Sequence, residues 1–181
     1  DALGGMLQFL GEEDPQLAER CKKLAIFPED SQVPLAVVAQ LWGVDEVETE
    51  EAVTELESWH LVDVDWSERR MVEYTAYGRT LSLIDLHLDY LRASAKDDLA
   101  GWHRKLLRGC GRRRLGAYEC GKHKQLIKED EKTEDDAYWA ESKNVAHHIA
   151  DGGPGALDGL TSLQMLDLGD CNGLTSLPSL D

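Results

Sequence analysis

The chain has 181 residues, with 19 Lys and Arg against 35 Asp and Glu, and a formal net charge of −16. A pI near 4.7 argues against nucleic acid as the main partner, because phosphate binding needs clustered Lys and Arg. A hydrophobic content of 42% with 30% charged residues fits a folded chain of one ordinary domain or two small ones, not a disordered one. The longest uncharged run, Ser31 to Val44, is 14 residues, too short for a membrane span, so none is expected. With no export signal, the expected location is cytoplasmic. A start at Asp1 and a repeat that breaks off at Asp181 predict a fragment of a longer protein. Cys21, Cys110, Cys120 and Cys171 include no CxxC pair; their even count permits disulfides, but reduced thiols are the expected state.

Charge is unevenly distributed. Residues 1–60 carry 14 acids and 3 bases, whereas residues 101–128 carry 1 acid and 9 bases. Together with turn signals at Asp97-Asp98, Gly109–Gly116 and Asp151-Gly-Gly-Pro-Gly155, this divides the chain into four parts. Residues 1–14 end a preceding helical subdomain, 15–96 form one domain, 97–151 a helical extension with a basic loop, and 152–181 a truncated repeat.

Asp14-Pro15 predicts a helix start, with Leu17, Ala18, Cys21 and Leu24 on one face. Phe27-Pro28-Glu29-Asp30 breaks it. A second helix opens at Pro34, places Leu35, Val38, Ala39 and Trp42 on one face, and ends at Gly43. Asp45 and Glu48 form a capping box for a third, which turns Val47, Ala52, Val53, Leu56 and Trp59 inward. Trp42 and Trp59 are expected between these two helices. Leu61 to Trp66 alternates with period two and predicts a strand. Met71 to Tyr77 and Arg79 to Leu83 offer returning strands, and a helix from Asp85 buries Leu86, Tyr90 and Leu91. Three helices, a hairpin and a closing helix make a winged helix-turn-helix. Its third helix holds seven acids and no base between Asp45 and Glu57, which argues against DNA and for a protein-facing surface.

These residues resemble a known family. Leu24-Ala-Ile-Phe-Pro-Glu-Asp30, Val33-Pro34 and Leu41-Trp42 look like the winged-helix subdomain of NB-ARC proteins. These signal-transducing ATPases include plant disease-resistance receptors and apoptotic protease-activating factors. Leu83-Ile-Asp-Leu86 with Asp89-Tyr90-Leu91 resembles the family's closing Met/Leu-His-Asp-Leu motif, and the likeness covers about residues 15–95. It implies a lid that closes over bound ADP, held by the motif histidine. Here Ile84 stands at that position and Asp85 is retained, so both are nucleotide-sensor candidates. His87, one turn further on, is either a substitute or an ordinary surface histidine.

No ATPase core is evident. Gly116-Ala-Tyr-Glu-Cys-Gly-Lys-His123 matches a phosphate loop except at its end, where His123 replaces the Ser or Thr that reaches magnesium. No cofactor is expected in this fragment, and ADP or ATP is expected in the full-length protein. Cys110, Cys120 and His123 lack a zinc spacing. Adjacent His147 and His148 point about 100° apart on a helix, so one is expected inside and the other solvated. No metal set or catalytic grouping is marked, and the chain is not expected to be an enzyme.

In the extension, Leu99, Trp102, His103, Leu106 and Leu107 form one apolar stripe, and Ala137, Tyr138, Ala140, Val145, His148 and Ile149 another. Leu160, Leu163, Leu166, Leu168, Cys171, Leu174 and Leu177 follow the leucine-rich-repeat pattern, with Cys171 at the Asn/Cys position. Leu157-Asp158 recurs as Leu180-Asp181, a period of 23.

The expected architecture is mainly α with small β: a winged helix-turn-helix, a helical extension, then the start of a leucine-rich-repeat solenoid. The expected function is regulatory, within an ADP/ATP-switched signalling or defence receptor. Its partners are its own nucleotide-binding domain and a protein ligand on the repeats. The alternative is a protein-interaction scaffold with no nucleotide control.

Overall fold

The computed structural model describes residues 2–67, 79–110, 114–116, 138–139, 142–158, 160 and 165–167. These are mainly helical, with a small three-stranded sheet and one further strand pair.

Helix α1 (Ala2–Glu13) buries Leu3, Leu7 and Leu10 at i, i+4 and i+7, facing α2 (Pro15–Lys23). Asp14 caps α2, its Oδ1 accepting from the amides of Gln16 and Leu17 at 2.9 Å each, and Pro15 occupies the first turn. Arg20, Lys22 and Lys23 lie in the last turn, where the helix dipole favours positive charge. A 3-10 turn, Leu24–Ile26, follows; it and Phe27 are completely buried. Buried carbonyls need donors. Arg92 supplies two of them, with Nε to Ala25 O at 3.3 Å and Nη2 to Phe27 O at 3.0 Å, while its Nη1 pairs with Glu29 at 2.8 Å.

Pro34 does not open a helix. It ends strand β1 (Val33–Pro34) and stands at the N-cap of α3 (Leu35–Trp42), where its fixed φ suits an extended residue. Gly43 closes α3 at φ 76°, a left-handed conformation that favours glycine, and its N–H reaches Ala39 O at 2.7 Å. Asp45 caps α4 (Glu46–Ser58) through the Glu48 amide at 2.9 Å. The carboxylate of Glu48 turns away to pair with Arg20, whereas Glu46 and Glu50 pair with Arg79. Acids of the third predicted helix thus meet arginines from outside it.

Strands β2 (Asp63–Asp65) and β3 (Thr80–Ser82) complete the sheet in the order β1-β3-β2. Both pairings are antiparallel, with Leu81 opposite Val33 on one side and Val64 on the other. The return predicted for Arg79 to Leu83 corresponds to β3; that for Met71 to Tyr77 lies outside the described residues. Helix α5 (Asp85–Ser94) follows, then α6 (Leu99–Gly109) and α7 (Ser142–Gly152). The last two pack on each other, and α6 also packs on α3 and the 3-10 turn, so one core runs from α1 to Leu157. Of the second predicted stripe, Tyr138, Val145, His148 and Ile149 are buried, and Ala137 and Ala140 lie outside the described residues. Two arginines of α6 secure the turn after α7: Arg104 donates to Gly152 O at 2.9 Å and Arg108 to Asp158 O at 3.0 Å.

Strand β4 (Arg114–Gly116) pairs in parallel with β5 (Met165–Asp167), Leu115 standing opposite Leu166. Leu160 and Leu166 are half-buried against the core. Leu163, Leu168, Cys171, Leu174 and Leu177 lie outside the described residues, as do Cys120 and residues 117–123 of the phosphate-loop candidate.

Three expectations for individual side chains are corrected. Val47 is 67% exposed, because α4 buries Thr49, Ala52, Val53 and Leu56, and a residue two positions before Thr49 lies on the opposite face. Leu86 is 72% exposed; α5 buries Leu88, Leu91 and the following Ala95 instead. Trp42 is buried, but its Nε1 donates to Arg20 O of α2 at 3.0 Å. Trp59 is half-buried and packs on Phe9 of α1, ring centroids 5.7 Å apart. The two tryptophans therefore do not share one interface.

Truncation of Trp42 to Ala is expected to cost about 3–5 kcal/mol, by loss of a buried ring. Val47→Ala is expected to stay within about 0.5 kcal/mol. Urea unfolding of the two variants measures the difference; equal losses contradict these placements.

Candidate functional site: the head of helix five and a histidine junction

The two residues taken as nucleotide-sensor candidates, Ile84 and Asp85, lie at the N-terminus of α5. Ile84 is its N-cap residue and is 56% exposed; Asp85 opens the first turn on the surface, and Leu86 follows into solvent. Two large apolar side chains thus flank a carboxylate on an open face. His87 turns the other way, its Nδ1 3.2 Å from Leu61 O, and is half-buried rather than an ordinary surface histidine.

A second grouping arises where α6 meets α7. The sequence spacing marks no metal set, and His147 and His148 alone do not converge. The fold adds His103 from the facing helix. One ring nitrogen of each of the three lies within 4.8 Å of the others. His148 is fully buried and His103 nearly so; His147 is not solvated outright but half-buried. His103 Nδ1 and His148 Nδ1 are 2.8 Å apart, and His148 Nε2 is 2.8 Å from the Tyr138 hydroxyl. His147 Nε2 is 2.8 Å from Ile26 O, supplying the donor for the third carbonyl of the buried turn. Its Nδ1 lies 3.2 Å from Asp151 Oδ2, which is also 4.0 Å from His103 Nε2. Phe27, Tyr138 and Trp139 rings stand within about 6 Å of His148 and make the surroundings apolar.

Burial, reinforced by repulsion from His147 and Arg92, pushes His103 down to about 3. Burial likewise carries His148 well below the usual histidine range, with His103 and His147 adding to it. Burial lowers His147 too, a pull that Asp151 and the Ile26 carbonyl oppose. Desolvation penalises an imidazolium more than these partners stabilise it. His103 and His148 are therefore neutral near pH 7.

No family model matches the chain. Over 107 residues, 59% of its length, it is 31% identical to apoptotic protease-activating factor 1 of Danio rerio, and the matched stretch spans 8% of that relative. The likeness hints at an NB-ARC relationship for part of the chain. No helix among the described residues is long and apolar enough to cross a membrane.

The buried histidines fix a pH dependence. Their folded pKa values lie below the unfolded value near 6.5, so the stability they permit is present above pH 6.5. It is lost as the pH falls toward 3, because unfolding then takes up protons. Each such histidine contributes up to about 1.4 kcal/mol per pH unit within that window. Melting temperature is expected to fall between pH 7 and 5, with a shallower slope in His103→Gln. Equal slopes in the two proteins contradict the assignment.

Proposed function

We propose that the chain is a regulatory region of an NB-ARC-like signalling protein, in which residues 15–96 act as a winged-helix lid against that protein's own nucleotide-binding domain. The observation that carries this reading is the head of α5. Ile84, Asp85 and Leu86 present an apolar, acidic and apolar side chain in succession to solvent, at the position of the family's sensor motif. Large apolar side chains grouped on a surface favour a covering partner. The helix order, the β2–β3 pairing and the likeness to the Danio rerio protein support the same assignment.

Residues 152–181 fit the beginning of a leucine-rich repeat that faces a protein ligand. The short β5, its parallel partner and the half-buried Leu166 support this, since repeats of this kind stack short strands in parallel. The chain's role is then switching and interaction, and the ATP or ADP chemistry belongs to another part of the parent protein. DNA is not a partner in this reading, because α4 exposes carboxylates where a recognition helix needs bases. One observation favours the second reading, a scaffold without nucleotide control: Ile84 cannot donate a hydrogen bond to phosphate.

The experiment is Ile84→His in the full-length parent. A restored contact of about 1.4 kcal/mol or more slows ADP release about tenfold or more. Release measured by stopped flow with a fluorescent ADP analogue is expected to slow accordingly. Unchanged release favours the scaffold.

A further inference from the structure

We propose that His103, His147 and Asp151 form a binding site for a divalent transition metal of the zinc class, at the solvent edge of the α6–α7 interface.

The geometry begins with His147. Its Nε2 faces the Ile26 carbonyl, which can only accept, so the ring proton sits on Nε2. Nδ1 lies 3.2 Å from a carboxylate oxygen of Asp151, and the two atoms can share one cation, either a proton in an ion pair or a metal ion on the deprotonated ring. Bonds of about 2.0–2.2 Å in a tetrahedral zinc site place neighbouring ligand atoms about 3.3 Å apart. The observed separation matches that edge.

His103 supplies the next ligand. Its Nε2 lies 4.0 Å from the same Asp151 oxygen, so a side-chain shift of less than about 1 Å completes a second edge. Its other nitrogen is already committed. His103 Nδ1 pairs with His148 Nδ1 and His148 Nε2 with the Tyr138 hydroxyl, and in one of the two relay directions His103 Nδ1 carries the proton and donates it to His148. This tautomer leaves the His103 Nε2 lone pair free for a metal. Both ligand rings thus have their second N–H fixed by an outer partner, one by a backbone carbonyl and one by a histidine–tyrosine pair. Metal-ligating histidines are held in this way, which sets the tautomer and the ring orientation.

Spacing on the helix fits as well. His147 and Asp151 are four residues apart and share one face of α7, whereas His103 comes from the facing helix. A metal here joins α6 to α7 at the residue that also ties α7 to the 3-10 turn. Asp151 is 53% exposed and His147 partly so, giving an entry path, and three protein ligands leave a fourth position for water. Cys21 is no rival ligand, since burial pushes its thiol up to about 12.

The test uses the full chain in metal-free buffer near pH 7.5. Calorimetric titration with zinc chloride is expected to show one equivalent bound at micromolar or tighter affinity, with a raised melting temperature. Cobalt chloride is expected to give the visible bands of a four-coordinate nitrogen and oxygen site, without a thiolate charge-transfer band. Asp151→Asn changes an exposed side chain and leaves the core untouched; it is expected to weaken binding at least tenfold, and His147→Gln likewise. Absence of zinc binding means that a proton occupies the gap as a His147–Asp151 ion pair, and it overturns the proposal. Undiminished affinity in Asp151→Asn, or a thiolate band with cobalt, overturns it too.

Discussion

The backbone from Ala25 to Phe27 is buried, and three successive carbonyls there must find donors inside the protein. Among the described residues no strand pairs with them. Arg92 on α5 reaches two, and His147 on α7 reaches the third. An unpaired buried carbonyl costs about 1–3 kcal/mol, so these contacts are not interchangeable with ordinary surface hydrogen bonds. They tie α5 and α7 to a turn only three residues long, on which α6 also packs. Leu24, Ala25, Ile26 and Phe27 form the apolar hub, and the helices around it carry both the greasy faces that cover it and the polar tips that satisfy it.

Charge follows a comparable logic. Like charges crowd the first turns of the acidic helix α4, at Glu46, Glu48, Glu50 and Glu51. Arg20 from α2 and Arg79 beside β3 relieve this by meeting Glu48, Glu50 and Glu46. Partly exposed pairs of this kind contribute little stability individually. Their position matters more: they tie α4 to α2 and to the start of β3, whereas Glu51 and Glu55 face solvent and Glu57 accepts from the Trp66 indole at 2.9 Å.

Local chemistry made much of this legible. Asp14, Gly43 and Asp45 act as caps where the sequence places them, because capping depends on residues within one turn. The apolar phase was harder. On α5 both Leu86 and Leu88 suit a buried stripe, and the positions of the 3-10 turn, α1 and α2 decide between them. Trp59 lies just past the end of α4, where helical phase no longer predicts direction, and packing on Phe9 settles it. The residues of the histidine junction had no signal in spacing. His103 is separated from His148 by 45 positions, and their meeting depends on how α6 and α7 cross. Strand β1 was hidden for a similar reason, being two residues whose only distinction is a partner some fifty positions later. Ile84 and Asp85, in contrast, are singled out by motif likeness alone, and both face outward.

The contact between His147 and Ile26 spans 121 positions of chain. During synthesis, at roughly 5–20 residues per second, Ile26 leaves the ribosome several seconds before its donor exists. Throughout that interval the front of the molecule can gather α1 to α5 around the turn, yet one carbonyl at its centre has only water available. Water must therefore enter the nascent hub and be expelled when α7 docks, which makes docking a drying step as well as an assembly step. A chain cut before α7 lacks this donor, and the Ile26 carbonyl and the apolar face that α7 covers are then left to water.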